Sequence, residues 1–262
     1  MDLGLSGKRA LVMSSSRGLG LGCAQALAAE GAHVLLTGRS GDKLEAAAKA
    51  ITAKGPGKAD FITADLTDKD AVNTLAKAAE EILGGVDILV NNTGGPPPGR
   101  MVDADTEILA FQFDTMVMNV VEMTKRLLPG MCERKWGRVI TIGSSGVIQP
   151  IPNLGLSNAI RSALVGWSKS LSNDVAADGV TVNMLLPGRI HTERVDELDS
   201  NAAEKTGKTL EETREASKAG IPAGRYGTVE EFGAVCAFLA SEQASYVTGS
   251  LMRCDGGAIR SV

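Results

Sequence analysis

The sequence predicts an α/β protein: one doubly wound parallel sheet of about seven strands with helices on both faces. Three observations predict it. Short runs rich in Val, Ile and Leu alternate with longer segments of helical period. The runs are near-continuously apolar, as strands covered on both faces must be. A serine- and glycine-containing turn joins the first run to the first helical segment. No internal repeat and no linker-like shift interrupts the 262 residues, so residues 1–262 read as a single domain.

Strands are expected at Arg9–Met13, His33–Thr37, Lys58–Thr63, Val86–Asn91, Arg138–Gly143, Val180–Leu186 and Ser250–Cys254. Gly18–Glu30, Asp42–Lys54 and Asp68–Leu83 read as helices between the early strands. Strict alternation implies βαβ units with right-handed connections. Two stretches break the pattern. Gly94-Gly95-Pro96-Pro97-Pro98-Gly99 follows the fourth strand, and its prolines hold an extended path. Glu193–Ala219, charged and Ala-rich, reads as one or two amphipathic helices inserted after Pro187-Gly188. Both leave carboxyl ends of strands, where open α/β sheets bind ligands. A wall at the first and a substrate lid near residues 190–222 are therefore expected.

Composition removes several function classes. Lys and Arg total 27 against 31 Asp and Glu, a net charge of −4, which argues against a nucleic-acid partner. Aromatics make up only 3% of the chain, too few for base-stacking platforms. Cys23, Cys132, Cys236 and Cys254 show no CxxC spacing, and His33 and His191 are the only histidines. No metal site is expected, and sparse cysteine fits a reduced, cytoplasmic setting. Lys8-Arg9 and the apolar run after it mimic a secretion signal, but Ser14-Ser15-Ser16-Arg17 interrupts that run too early. No run of about 18 uncharged apolar residues is present, so no membrane span is expected.

The turn Ser14-Ser15-Ser16-Arg17-Gly18-Leu19-Gly20 opens a helix directly after the first strand. Backbone N–H groups at a helix start, with the helix dipole behind them, favour a phosphate. Gly18 and Gly20 permit a close approach of backbone. At the end of the second strand, Gly38 occupies the place where an acid would accept from a ribose 2′-hydroxyl, and Arg39 follows. Arg39, with Arg17 from the first turn, suits a 2′-phosphate and so NADP(H).

These residues resemble the short-chain dehydrogenases/reductases over essentially the whole chain. The first turn resembles that family's TGxxxGxG. Asp65-Leu66 resembles its adenine-contacting acid, and Asn91-Asn92-Thr93-Gly94 resembles its NNAG. Pro187-Gly188 through Ile190 to Thr192 resembles its PG motif and the threonine that holds the nicotinamide carboxamide. Gly224-Arg225-Tyr226-Gly227, Phe238-Leu239-Ala240-Ser241, Val247-Thr248-Gly249 and Asp255-Gly256-Gly257 resemble its carboxyl-terminal signature. The resemblance implies a Rossmann-type fold, bound NADP(H), a small carbonyl or alcohol substrate, 3-oxoacyl groups among the candidates, and a homotetramer. Ser14 departs from the family, which has glycine there, and implies a modified turn whose hydroxyl can serve a phosphate.

The larger departure is in the chemistry. The family's tetrad is Asn, Ser, Tyr and Lys. Registering the run Arg161–Leu171 on the family's helix puts Arg161 at the Lys place and Ser157 at the Tyr place. Ser144, thirteen residues before Ser157, falls at the Ser place, and Met116 at the Asn place, with Asn119 one helical turn on. A serine hydroxyl is a far weaker acid than a phenol, and Arg stays charged rather than shuttling a proton. Ser144, Ser157 and Arg161 are the candidate catalytic groups, and Arg161 is also the candidate ribose ligand. His191 is the other candidate acid, either catalytic or an exposed loop histidine. Arg126, Arg134, Lys135 and Arg138 form a basic cluster that is either an acyl-carrier docking patch or a solvated face. Trp136 and Trp167 read as core or subunit-interface residues. An NADP(H)-dependent oxidoreductase is the first reading. An NADP(H)-binding protein with little or no redox activity, or lyase or isomerase chemistry on the same fold, remain beside it.

Overall fold

A computed structural model describes residues 2–261. The strands are β1 (Arg9–Val12), β2 (His33–Gly38), β3 (Lys58–Thr63), β4 (Ile88–Asn91), β5 (Gly137–Ile142), β6 (Val180–Pro187) and β7 (Leu251–Cys254). Each lies within two residues of its expected span. All pair in parallel, in the order β3-β2-β1-β4-β5-β6-β7. The order reverses between β1 and β4, which opens a crevice at the carboxyl ends of those strands.

Successive strand side chains point to opposite faces, and the core divides accordingly. Ala10, Val12, Val34, Leu36, Ile88 and Val90 pack on one face, under α1 (Gly18–Ala29), α2 (Gly41–Lys54) and α9 (Val229–Ala240). Leu11, Leu35 and Leu89 pack on the other, under α3 (Ala71–Leu83) and α5 (Asn119–Glu133). Here α6 (Gly155–Val175) adds a third cluster with Met184 and Leu186 of β6. Burial on both faces holds for the central strands. At the edge, β3 leaves Lys58, Asp60, Phe61 and Thr63 exposed, because no strand covers its outer side.

One expected boundary is corrected in this frame. The helix expected from Asp68 starts at Ala71, because Asp65 first folds back as a turn, with Asp68 N donating to Asp65 O at 3.0 Å and Ala71 N to Asp68 O at 3.0 Å. Between α4 (Thr106–Phe113) and α5, Asp114–Met118 is wound as a π-helix, a form that concentrates at functional sites. The fold splits the basic cluster, leaving Arg126 exposed. Arg138 is 1% exposed and donates to the carbonyls of Ser241, Gly137 and Gly179. Arg134 is bound to Asp87 and Lys135 to Asp178. Trp136 is sandwiched as well, with Lys8 3.8 Å and Arg138 4.3 Å from its ring centroid, and Trp167 packs against the α6 cluster.

The segment expected as a lid is two helices, α7 (Glu193–Thr206) and α8 (Leu210–Ala219). Among the described residues, no helix is long and apolar enough to cross a membrane.

Candidate active site

The phosphate turn is built around Ser14. Its φ of +47° lies in the left-handed region that glycine enters most readily. The strain is held by bonds on both sides: Ser14 N donates to Thr37 Oγ1 at 3.0 Å, and Asn92 Nδ2 donates to Ser14 O at 3.0 Å. Ser15 is fully buried, its hydroxyl donating to Val12 O at 2.8 Å and accepting from Thr37 N at 3.0 Å. Ser16 packs over Gly38, where a Cβ would come within 3.2 Å of its Oγ. A Cβ on Gly20 would come within 2.5 Å of Ser14 O and 2.8 Å of Asn92 Nδ2. The absence of a side chain at Gly20 therefore serves the packing of turn against helix. Arg17, at the N-cap of α1, makes no side-chain cap, and the first turn holds no acid. The free N–H groups there fit a dinucleotide phosphate.

Arg39 is exposed at the end of β2. Asp65 accepts from Thr67 N at 3.0 Å, and that bond, with the charge of Arg39, holds its carboxyl below the usual range. Leu66 O accepts from Asn119 Nδ2 at 2.6 Å. Asn119 is thereby committed to the backbone beside Asp65 and does not take the place of the family's missing Asn. Met116, at that place, is 1% exposed in the α6 cluster.

At the end of β4, Asn91 is fully buried and donates to Thr124 Oγ1 at 3.0 Å and Thr141 Oγ1 at 3.4 Å, tying β4 to α5 and β5. These two bonds brace the sheet. Thr93 is 9% exposed and donates to Gly94 O at 3.2 Å. Gly94 borders open space.

Of the candidate catalytic side chains, Arg161 reaches these same strand ends. Arg161 donates through Nη1 to Ile142 O at 3.1 Å and through Nη2 to Gly94 O at 3.2 Å. No carboxylate pairs with it among the described residues. Burial of the unpaired cation pushes it down to about 10, which leaves it protonated at neutral pH. Ser144 Oγ accepts from Gly146 N at 3.1 Å, which orients the hydroxyl and leaves its proton free to donate. Ser157 and Arg161, four apart on α6, share a face. Asn158 clamps the loop between them and β5, donating to Ile151 O at 3.0 Å and accepting from Ile151 N at 3.2 Å.

Pro187 ends β6, and Gly188 N donates to Cys254 O at 2.9 Å. Ile190 is 4% exposed in the core, so its backbone alone faces outward for a ligand. Thr192 caps α7, accepting from Val195 N, and its methyl lies 3.7 Å from where a Cβ on Gly18 would sit. Phosphate turn and lid base are thus neighbours. His191 turns away from this group: its ring faces Asp196 of α7 at 3.2 Å and it is exposed.

The matching family model, described as enoyl-(acyl carrier protein) reductase, covers residues 13–258. The chain belongs to the short-chain dehydrogenase/reductase family. Family members close to it include the 3-oxoacyl-[acyl-carrier-protein] reductase FabG of Haemophilus influenzae, 34% identical over 255 residues, 97% of this chain and 98% of that one. The NADPH-dependent reductase BacG of Bacillus subtilis is 31% identical over 98% of this chain and 100% of its own. Among solved structures, the L-sorbose reductase of Gluconobacter frateurii, complexed with NADPH and L-sorbose, superposes with a TM-score of 0.94 at 31% identity, covering all of both chains.

Sequence reading missed one structure that shapes the site. Asp199, on α7, is fully buried. Arg189 and Tyr226 both donate to it, Tyr226 at 2.9 Å, and Arg214 Nε of α8 lies 4.0 Å away. Arg214 also donates to Asp196 at 2.6 Å. This network pins both lid helices to the loop after β6. Only burial distinguishes Asp199 from the other α7 acids, and burial is not visible in the sequence.

Proposed function

We propose that the protein is an NADP(H)-dependent oxidoreductase acting on a carbonyl or alcohol, on the residues converging at the β4 and β5 ends. The observation that carries this is the Arg161 guanidinium bonded to both Gly94 O and Ile142 O, which ties the β4 end to the β5 end two residues before Ser144. Gly18, Leu19 and the hydroxyls of Ser14 and Ser16 would hold the pyrophosphate. Arg39 and Arg17 would hold the 2′-phosphate, and Asp65 with Leu66 the adenine. Thr93, Gly94 and Arg161 would position the nicotinamide ribose, and Pro187, Gly188, Ile190 and Thr192 the nicotinamide. When bound, the cofactor supplies or accepts the hydride.

The chain's own contribution is to orient and to stabilise charge. Ser144, oriented by the Gly146 N–H, donates to the substrate oxygen as negative charge grows there. Arg161 keeps its charge close to that oxygen and to the ribose. Ser157 is a weak acid, so the proton arrives from a water held between Ser157 and Arg161. Turnover should be slow beside relatives that keep Tyr.

The assay is loss of reduced-nicotinamide absorbance with a panel of 3-ketoesters, quinones and diketones. Turnover supports the proposal. Tight NADPH binding without turnover across the panel favours the binding-protein reading instead. The 3-oxoacyl class comes first in the panel because of the FabG relatives. The protein also acts as a homo-oligomer in this proposal, a tetramer by family resemblance. In support, α4 and its flanks expose Val102 (76%), Phe111 (52%) and Met118 (41%), beside a hollow of about 560 Å³ lined by Leu109, Phe113 and Ile160. Light scattering measures the mass.

A further inference from the structure

The phosphate turn and the lid are joined by one ion pair. Glu193, the first residue of α7, places its carboxylate on the Arg17 guanidinium. Arg17 has no other side-chain partner among the described residues. Lys43 of α2 adds a second positive field, and together with Arg17 it holds the Glu193 carboxyl below the usual range. An acid thus projects from the lid onto a cation of the nucleotide site. A carboxylate and a phosphate engage a guanidinium through the same charge-assisted fork.

We propose that Glu193 is an internal competitor of the cofactor: its carboxylate and the 2′-phosphate of NADP(H) take Arg17 in turn. The proposal rests on Arg17 being a 2′-phosphate ligand, as argued above. It adds Glu193 as a residue that sets the affinity and the 2′-phosphate selectivity of the site. The lid does not depend on this pair. Thr192 caps α7 independently, and Asp199 anchors the helix through Arg189 and Tyr226. Both members of the pair are more than half exposed, at 51% and 57%, so the competition is modest. Exposed pairs of this kind correspond to about a two- to fivefold change in an equilibrium constant.

The test is calorimetric titration of the full chain with adenosine 2′,5′-bisphosphate and with AMP, using the unmodified protein, Glu193→Gln and Glu193→Ser. The expected result is that both variants bind the bisphosphate about two- to fivefold more tightly and AMP unchanged. The gain should fade at high ionic strength as the charges are screened. Unmodified protein that prefers the bisphosphate, with variants that bind it no better or gain equally for AMP, overturns the competition while leaving the 2′-phosphate site intact. Unmodified protein with no preference for the bisphosphate overturns the assignment of Arg17 and Arg39, and this proposal with it. Thermal melts matching the unmodified protein confirm that the lid is undisturbed.

Discussion

Arg161 donates to the Gly94 carbonyl at 3.2 Å, and this bond joins the middle of α6 to the loop that leaves β4. The same guanidinium reaches Ile142 O at the end of β5. A lysine ammonium is a compact point charge on a flexible stem, whereas the planar fork of arginine can bridge two carbonyls and keep further N–H donors for a ligand. The replacement at the family's Lys place therefore preserves a cation and adds a brace across the two strand ends that frame the site.

Arg161→Ala removes both bonds and the charge beside the ribose. NADPH affinity should fall about ten- to a hundredfold, the range for a lost charge-assisted hydrogen bond. Arg161→Lys should keep most of it. Fluorescence titration with NADPH checks both. An Arg161→Ala protein that binds as the parent does would mean that the side chain serves only the loop.

Arg39 is exposed and makes no side-chain bond among the described residues, so its charge is available at the β2 end. Arg39→Asp should weaken NADPH by at least about tenfold and improve NADH, because the new carboxylate repels a 2′-phosphate and accepts from a 2′-hydroxyl. Calorimetry with the two cofactors measures the switch. Equal affinities for NADH and NADPH in the unmodified protein contradict it.

Ser157→Tyr with Arg161→Lys restores the acid pair of the family. If α6 presents both side chains to Ser144, the double variant should reduce carbonyls faster than the parent, by about tenfold or more given the usual worth of a placed general acid. The parent itself should show a rate that is flat between about pH 6 and pH 9, since neither serine titrates there and Arg161 sits at about 10. A folded, NADPH-binding double variant with an unchanged rate counts against the serine-and-water route.

Asp87 lies at the opposite end of the sheet, away from the site. Burial alone would raise its carboxyl, but the Arg9 fork at 2.7 and 2.8 Å, the Arg9 backbone N–H and Arg134 at 3.1 Å hold it below the usual range. A carboxyl depressed in the folded state contributes stability that is present above its unfolded value, about 3.9, and lost as pH falls through the folded one. Asp87→Asn should cost about 2 kcal/mol near neutral pH and flatten the fall in melting temperature below about pH 4. Thermal melts from pH 7 to pH 3 on both proteins decide it. A parent and variant that fall in parallel exclude Asp87 as the source.

The fold was legible because two periods are written into the chain. Apolar runs such as Arg9–Met13 and Val180–Leu186 are too short for a typical helix, and the segments between them carry helical period. The nucleotide turn was legible from local order alone, strand, serine- and glycine-containing turn, helix. Ser144, Ser157 and Arg161 were legible as positions only through the resemblance, by registering the run Arg161–Leu171 on the family's helix.

What the sequence by itself determined is the element order, the parallel sheet and the identity of the residues at its carboxyl ends, since each depends on neighbours within a few turns of chain. Tertiary structure decided where the charges go. Arg138, Arg134 and Lys135 read as one basic patch, yet packing buries the first and pairs the others with Asp87 and Asp178. Asn119 is spent on Leu66, His191 faces Asp196, and Asp199 becomes the buried anchor of the lid. Arg17 and Glu193 meet across 176 residues. The reason is physical: hydrophobic period acts along the chain, whereas the partner of a charge is set by which distant segments pack beside it and how much water that packing removes.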